Sequence, residues 1–203
     1  MSSILTEFST EPLLESSNAD GGLDVVGQQG ESNFFTFEGD GSDNVVGGNE
    51  FDIIAGGQGN DVISGLDGDD NLYGGLGNDI IRGGEGDDLV NGGKGDDDLI
   101  GGKGVDIIIG GEGVDIMNGG GGADIFEFLA NDFANGEVDQ ITDFKAGGFA
   151  DVIRLQGIGS DANVSYDAAT GYVSVNDQDI IKLEEGLDVQ ASDADGNGNW
   201  ELF

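Results

Sequence analysis

The chain has 203 residues, of which 42 are acidic, 6 basic and 41 glycine, for a formal charge of −36. Phosphate recognition needs Lys and Arg clusters, so this balance disfavours nucleic acid and anionic membranes as partners. Cys and His are absent, which removes disulfides, thiolate metal sites, zinc-protease motifs and imidazole catalysis together. The chain is 36% hydrophobic, and those residues fall in a pattern, so folding is expected once a cation offsets the self-repulsion.

Residues 1–37 open with "MSSILTEFSTEPLLESS", which has neither a basic leader nor a sustained apolar run. No cleavable signal and no transmembrane helix is expected. The apolar residues Ile4, Leu5, Phe8, Leu13 and Leu14 suit either a disordered arm or a short amphipathic segment. The alternating aromatics of "NFFTF" at 33–37 predict a first strand covering the end of the structure that follows.

From 38 to 127 a nine-residue frame repeats ten times. Its sixth position is always aspartate: Asp43, Asp52, Asp61, Asp70, Asp79, Asp88, Asp97, Asp106, Asp115 and Asp124. Its eighth is always apolar: Val45, Ile54, Ile63, Leu72, Ile81, Val90, Leu99, Ile108, Met117 and Phe126. The glycine-rich first half predicts a tight turn, and the last three residues predict a short strand with its middle side chain inward. Two repeats then close one 18-residue coil of a parallel solenoid. Seventh positions Ile53, Val62, Ile80, Leu89, Ile107, Ile116 and Ile125 should project outward. They form apolar stripes suited to self-association, a cell-surface partner or docking of the N-terminal segment.

Stacking brings aspartates from repeats two apart onto one edge, where bare carboxylates repel. The available ligands are all oxygen, which favours a hard cation with six to eight oxygen ligands, and calcium over magnesium or zinc. Further acids at Asp69, Asp87, Asp96 and Asp98 are expected to be solvated surface charge.

Beyond the repeats, 128–203 forms a predicted capping region. "VSYDAATGYVSVNDQDIIKL" at 164–183 alternates about two turn sequences and predicts an antiparallel meander. "DADGNGN" places Asp193, Asp195, Asn197 and Gly198 as in the start of an EF-hand loop. The twelfth-position glutamate is missing, so a polar turn is the competing reading.

The repeats resemble the RTX (hemolysin-type) calcium-binding nonapeptide, Gly-Gly-x-Gly-x-Asp-x-(apolar)-x. Those starting at Gly56, Gly74, Gly83, Gly92, Gly101, Gly110 and Gly119 match in full, while Glu38, Glu50 and Leu66 are departures. The resemblance implies that the sixth-position aspartates bind Ca2+ together with turn carbonyls. These would be the carbonyls of Gly56, Gly57, Gly59, Gly74, Gly75, Gly77, Gly83, Gly84, Gly86, Gly92, Gly93, Gly95, Gly101, Gly102, Gly104, Gly110, Gly111 and Gly113. Residues 119–158 are similar to the segment closing the roll in serralysin-type secreted proteins. There, acids seven apart bind a terminal calcium, which implies Asp132 and Asp139 here. The final "NWELF" resembles the uncleaved signal read by a type I secretion apparatus.

The expected fold is therefore all-β: a right-handed parallel β-roll with an antiparallel β-rich C-terminal cap. The expected function is that of a secreted, extracellular protein that folds on binding on the order of eight Ca2+ ions and serves a structural or interaction role. With 37 residues ahead of the repeats, neither the protease nor the pore-forming domain of larger relatives is expected. Paired carboxylates also serve glycosidic catalysis, but repeat position accounts for these aspartates, so no catalytic centre is expected. The alternative is a calcium-dependent module of a secreted polysaccharide- or protein-modifying enzyme.

Overall fold

The computed structural model describes residues 14–17 (backbone only), 21–37, 40–133, 136–145, 150–193, 196 and 198–203. Among these the chain is all β. Strands β1 (Leu14–Ser17), β2 (Leu23–Val26) and β3 (Phe34–Thr36) precede the repeats. Within them follow β4 (Asn44–Val46), β5 (Ile53–Gln58), β6 (Val62–Asp67), β7 (Asn71–Leu76) and β8 (Ile80–Glu85). The series continues with β9 (Leu89–Lys94), β10 (Asp98–Lys103), β11 (Ile107–Glu112), β12 (Ile116–Gly121) and β13 (Ile125–Leu129). The C-terminal strands are β14 (Asp139–Ile141), β15 (Val152–Gln156), β16 (Val164–Asp167), β17 (Tyr172–Val175), β18 (Gln178–Lys182), β19 (Ala191–Asp193) and β20 (Trp200–Leu202).

Successive strands alternate between two facing sheets, ordered β1-β2-β4-β6-β8-β10-β12-β14-β18-β17-β16 and β19-β20-β15-β13-β11-β9-β7-β5-β3. Through the repeats each strand pairs in parallel with the one two along, as in Ile80↔Asp98 and Ile81↔Leu99. The result is a parallel solenoid of about six turns. Ile54, Ile63, Leu72, Ile81, Val90, Leu99, Ile108, Met117 and Phe126 have 0% exposure, so the eighth position faces inward throughout. Seventh positions face the other way: Val62 and Ile116 are exposed, while Ile53, Ile80, Leu89, Ile107 and Ile125 are half-buried.

The parallel ladder also runs past the repeats. Phe34–Thr36 forms the first strand of its sheet, parallel to β5, with Phe35 and Phe37 buried. The facing sheet begins with β2, paired to β4 and edged by antiparallel β1. Of the N-terminal apolar residues, Ile4, Leu5, Phe8 and Leu13 lie outside the described residues. At the other end β14 and β15 continue the two sheets.

The expected meander forms as β16–β17–β18, turning at Asn176 and Asp177, whose φ of 52° and 66° suit a tight hairpin. It joins the roll through parallel pairing of β18 with β14. "WEL" becomes β20, antiparallel to β15. Arg154 spans this junction, 3.5 Å from Glu127 and 3.2 Å from Glu201.

Leu66 is a local misfit. It occupies a second position with φ 86°, where Gly57 and Gly75 hold 100° and 119°. A left-handed conformation costs an L-residue about 1–2 kcal/mol, and the exposed Leu66 side chain gains little burial in return. Leu66→Gly is expected to stabilise the calcium-loaded roll by about 1 kcal/mol, since glycine enters this region freely. Thermal unfolding at saturating calcium checks this; an unchanged or lower Tm would contradict it.

Candidate metal centre

Each glycine-rich turn ends on the sixth-position aspartate, immediately before a strand. The side chain is held by its neighbour two repeats away. Asp61 Oδ1 accepts the Asp43 N–H at 2.7 Å, and the same bond recurs from Asp61 to Asp79, Asp79 to Asp97 and Asp97 to Asp115 at 2.7–2.9 Å. On the opposite edge it links Asp52 to Asp70, Asp70 to Asp88, Asp88 to Asp106 and Asp106 to Asp124 at 2.7–3.0 Å. Two continuous aspartate ladders therefore run along the two edges of the roll.

The second carboxylate oxygen is used differently. Oδ2 of Asp70, Asp79, Asp88, Asp97, Asp106, Asp115 and Asp124 is buried without a hydrogen-bond partner. Each lies against the first glycine of its own repeat. A Cβ on Gly83 would overlap both Asp88 Oδ2 and the Gly101 carbonyl, and one on Gly92 would overlap Asp97 Oδ2. Glycine at this position leaves room where a carboxylate and a backbone carbonyl converge.

A buried carboxylate lacking a partner resists ionisation. Burial pushes Asp70, Asp97, Asp106 and Asp139 up to about 7, and Asp88 and Asp115 up to about 6. The donated backbone N–H opposes the rise, and neighbouring carboxylates add to it. Asp70 feels Asp52 and Asp88, and Asp106 feels Asp88 and Asp124, each pair 18 residues apart. The expected same-edge repulsion is therefore present.

Beyond the repeats, Asp139 joins the first ladder by accepting the Asp115 N–H at 2.8 Å. Asp132 lies close enough for its charge to help raise Asp139, yet its Oδ2 accepts the Leu129 N–H. Asp151 extends the second ladder by accepting the Asp124 N–H at 3.1 Å. Sequence reasoning missed Asp151 because it follows Asp124 by 27 residues instead of the 18 of a regular coil; its place directly before an apolar strand was the available signal. Asp69, Asp87 and Asp96 are exposed, as expected of surface charge, and they also accept hydrogen bonds between coils, Asp69 and Asp87 on one edge and Asp96 on the other. Their Oδ1 atoms accept the N–H of Asp87, Val105 and Val114 in the next coil. Within "DADGNGN", Asp193 Oδ1 accepts the Gly196 and Gly198 N–H groups, while Asp195 and Asn197 lie outside the described residues.

The donor set is chemically uniform: carboxylates and carbonyls, with neither imidazole nor thiolate. Among the described residues no three carboxylates converge on one point. An ion between coils must therefore draw several ligands from backbone carbonyls, which suits calcium's six to eight oxygens better than magnesium's compact, water-retaining shell. No curated protein matches the chain. The family model of the RTX calcium-binding nonapeptide repeat (4 copies) matches residues 39–72, 64–99 and 91–126. The array from 39 to 126 thus consists of RTX calcium-binding nonapeptide repeats wound into a parallel β-roll.

Proposed function

We propose that this is a secreted protein which folds on binding several calcium ions outside the cell and then acts as a structural or interaction element, with no catalytic centre of its own. The observation that carries this reading is the row of buried, partnerless Oδ2 atoms. The sixth-position aspartates and the turn-glycine carbonyls are the ligands, on the order of eight ions in the roll. Asp132 and Asp139 supply a terminal site. About eight ions would add roughly +16 to a chain of −36.

Without them the folded form must bury repelling carboxylates, and the remaining apolar contacts do not offset chain entropy. Calcium binds only the folded form, so linked sites draw the chain into it together. Where calcium is scarce the chain stays open, able to pass a type I secretion channel with its C-terminal "WEL" not yet committed to β20. The half-buried and exposed seventh-position stripes then offer a surface for a cell-surface partner or another copy.

In chelator, far-ultraviolet circular dichroism is expected to show little regular structure, and added calcium should restore a β spectrum steeply while equivalent sodium does not. A chelated chain that is already β-rich would overturn the mechanism.

Acid should mimic calcium in part. The folded, metal-free carboxylates hold protons up to about 6 or 7, against 3.8 when unfolded. Protons therefore favour the fold fully below pH about 4, and this support disappears as pH rises through 6–7. In chelator the chain should become more compact on acidification, while calcium affinity should fall over the same pH range as protons compete. Trp200 fluorescence and dialysis at several pH values measure both; a pH-independent affinity between 5 and 8 would contradict the buried-carboxylate assignment.

A further inference from the structure

The second ladder ends on Asp151 but begins on a side chain that is not aspartate. At its start stands Asn33, directly before β3 as Asp52 stands directly before β5, and Phe34 is in register with Ile53. Asn33 is 4% exposed. Its Oδ1 accepts the Gln28 N–H at 2.9 Å, much as Asp52 Oδ2 accepts the Gly48 N–H. Its Nδ2 turns back into the turn, donating to Glu31 O at 3.1 Å, Gln28 O at 3.4 Å and Asp52 Oδ1 at 2.8 Å. Two turn carbonyls and a carboxylate thus converge on a nitrogen, a ligand set that between repeats would suit a calcium ion.

The other end has a related arrangement. Asp143 and Lys145, just after β14, fold back on the last repeat. Asp143 accepts the Gly119 and Gly120 N–H groups at 2.9 and 2.7 Å, and Lys145 Nζ donates to the Gly120 carbonyl at 2.5 Å. The Lys145 N–H is held by Asp151 Oδ2 at 2.8 Å, and Phe144 packs against Phe126, so the ammonium is presented from an anchored turn.

We propose that Asn33 and Lys145 are built-in substitutes for calcium, closing the two end turns of one edge with nitrogen donors so that these turns take up no ion. The proposal rests on the calcium-driven reading above. A neutral amide satisfies the terminal carbonyls without adding a carboxylate beside Asp52, and an ammonium supplies positive charge without needing a cage of ligands. The end coils have a neighbour on one side only, so a dissociable ion there would leave the roll open to fraying; a covalently tethered donor cannot diffuse away.

Equilibrium dialysis of the full-length chain against saturating calcium, with elemental analysis, gives bound ions per chain. Asn33→Ala should retain the wild-type number, because no ion is lost with the amide. Asn33→Asp should bind one more, the new carboxylate joining Asp52 and the freed carbonyls. Lys145→Met should also bind one more, as the Gly120 carbonyl becomes available. Loss of an ion in Asn33→Ala would show that Asn33 is a ligand and overturn the proposal. Either of the other substitutions bringing no further ion would overturn the assignment at its end. If Asn33→Asp does not fold, the Asn33→Ala count still decides that end. The wild-type titration run alongside reads calcium-driven folding separately, so failure of that reading and failure of this one are distinct results.

Discussion

Ile81→Asp is expected to abolish folding even at saturating calcium. Ile81 is the second residue of β8 and has 0% exposure, flanked in register by Ile63 and Leu99 and facing the opposite sheet. The substitution removes a buried aliphatic group, worth about 2–5 kcal/mol when truncated. It also places a carboxylate among side chains that offer no hydrogen bond, at a further cost of several kcal/mol. Their sum approaches the whole stability of a typical domain, about 5–15 kcal/mol. The position matters as well, since a central coil transmits pairing to both halves of the solenoid. Ile81→Val keeps the apolar contact and should cost only about 1 kcal/mol. Arg82→Asp, one residue along on the exposed face, should leave the fold intact. A β-rich Ile81→Asp spectrum at ordinary calcium would mean that the inward face lies one residue away.

Asp88→Ala should weaken calcium binding while making the metal-free chain easier to compact, two effects of opposite sign from one residue. The aspartate holds the Asp70 N–H through Oδ1 at 2.8 Å and presents a partnerless Oδ2. In calcium its loss removes a ligand and leaves a buried N–H unsatisfied, at about 1–3 kcal/mol for the latter alone. One ion at a hundred times its dissociation constant stabilises the fold by about 2.7 kcal/mol, so losing a shared ion adds a loss of that order. In chelator, by contrast, a buried and repelling charge disappears. Asp88→Asn separates the contributions: its amide oxygen keeps the Asp70 bond, so the loss should be confined to ion binding. Asp98, exposed at a seventh position, provides the control, and Asp98→Ala should change neither state measurably. Calcium titrations followed by circular dichroism, with isothermal calorimetry for affinity, would refute the ligand assignment if Asp88→Ala bound calcium as wild type does.

Much of the roll was readable from residue type because the repeat leaves little freedom. An apolar side chain every nine residues, flanked by β-prone positions and separated by glycine turns, admits one inward face. Ile54 to Phe126 accordingly lie in a single core. The same periodicity placed Asp43 to Asp124 on two edges and foretold their repulsion, since stacking follows directly from an 18-residue coil.

What happens at the ends was decided by tertiary structure. A parallel strand must keep its register, but the turn feeding it can lengthen at small entropic cost. Asp139 and Asp151 thus rejoin the ladders 24 and 27 residues after their partners, where a regular coil takes 18. For the same reason β2 lies beyond the reach of the frame, and Asn33 reveals its equivalence to Asp52 only through the register of Phe34 with Ile53. The outer hydrogen bonds of Asp69, Asp87 and Asp96 were equally hidden: an exposed acid at a turn's fifth position gains its backbone N–H only from the stacked coil. Composition and period determine the coil, because each repeat makes the same local choices. Only coil-on-coil contact determines which oxygens gain donors and which remain for an ion, because those partners lie 18 or more residues away.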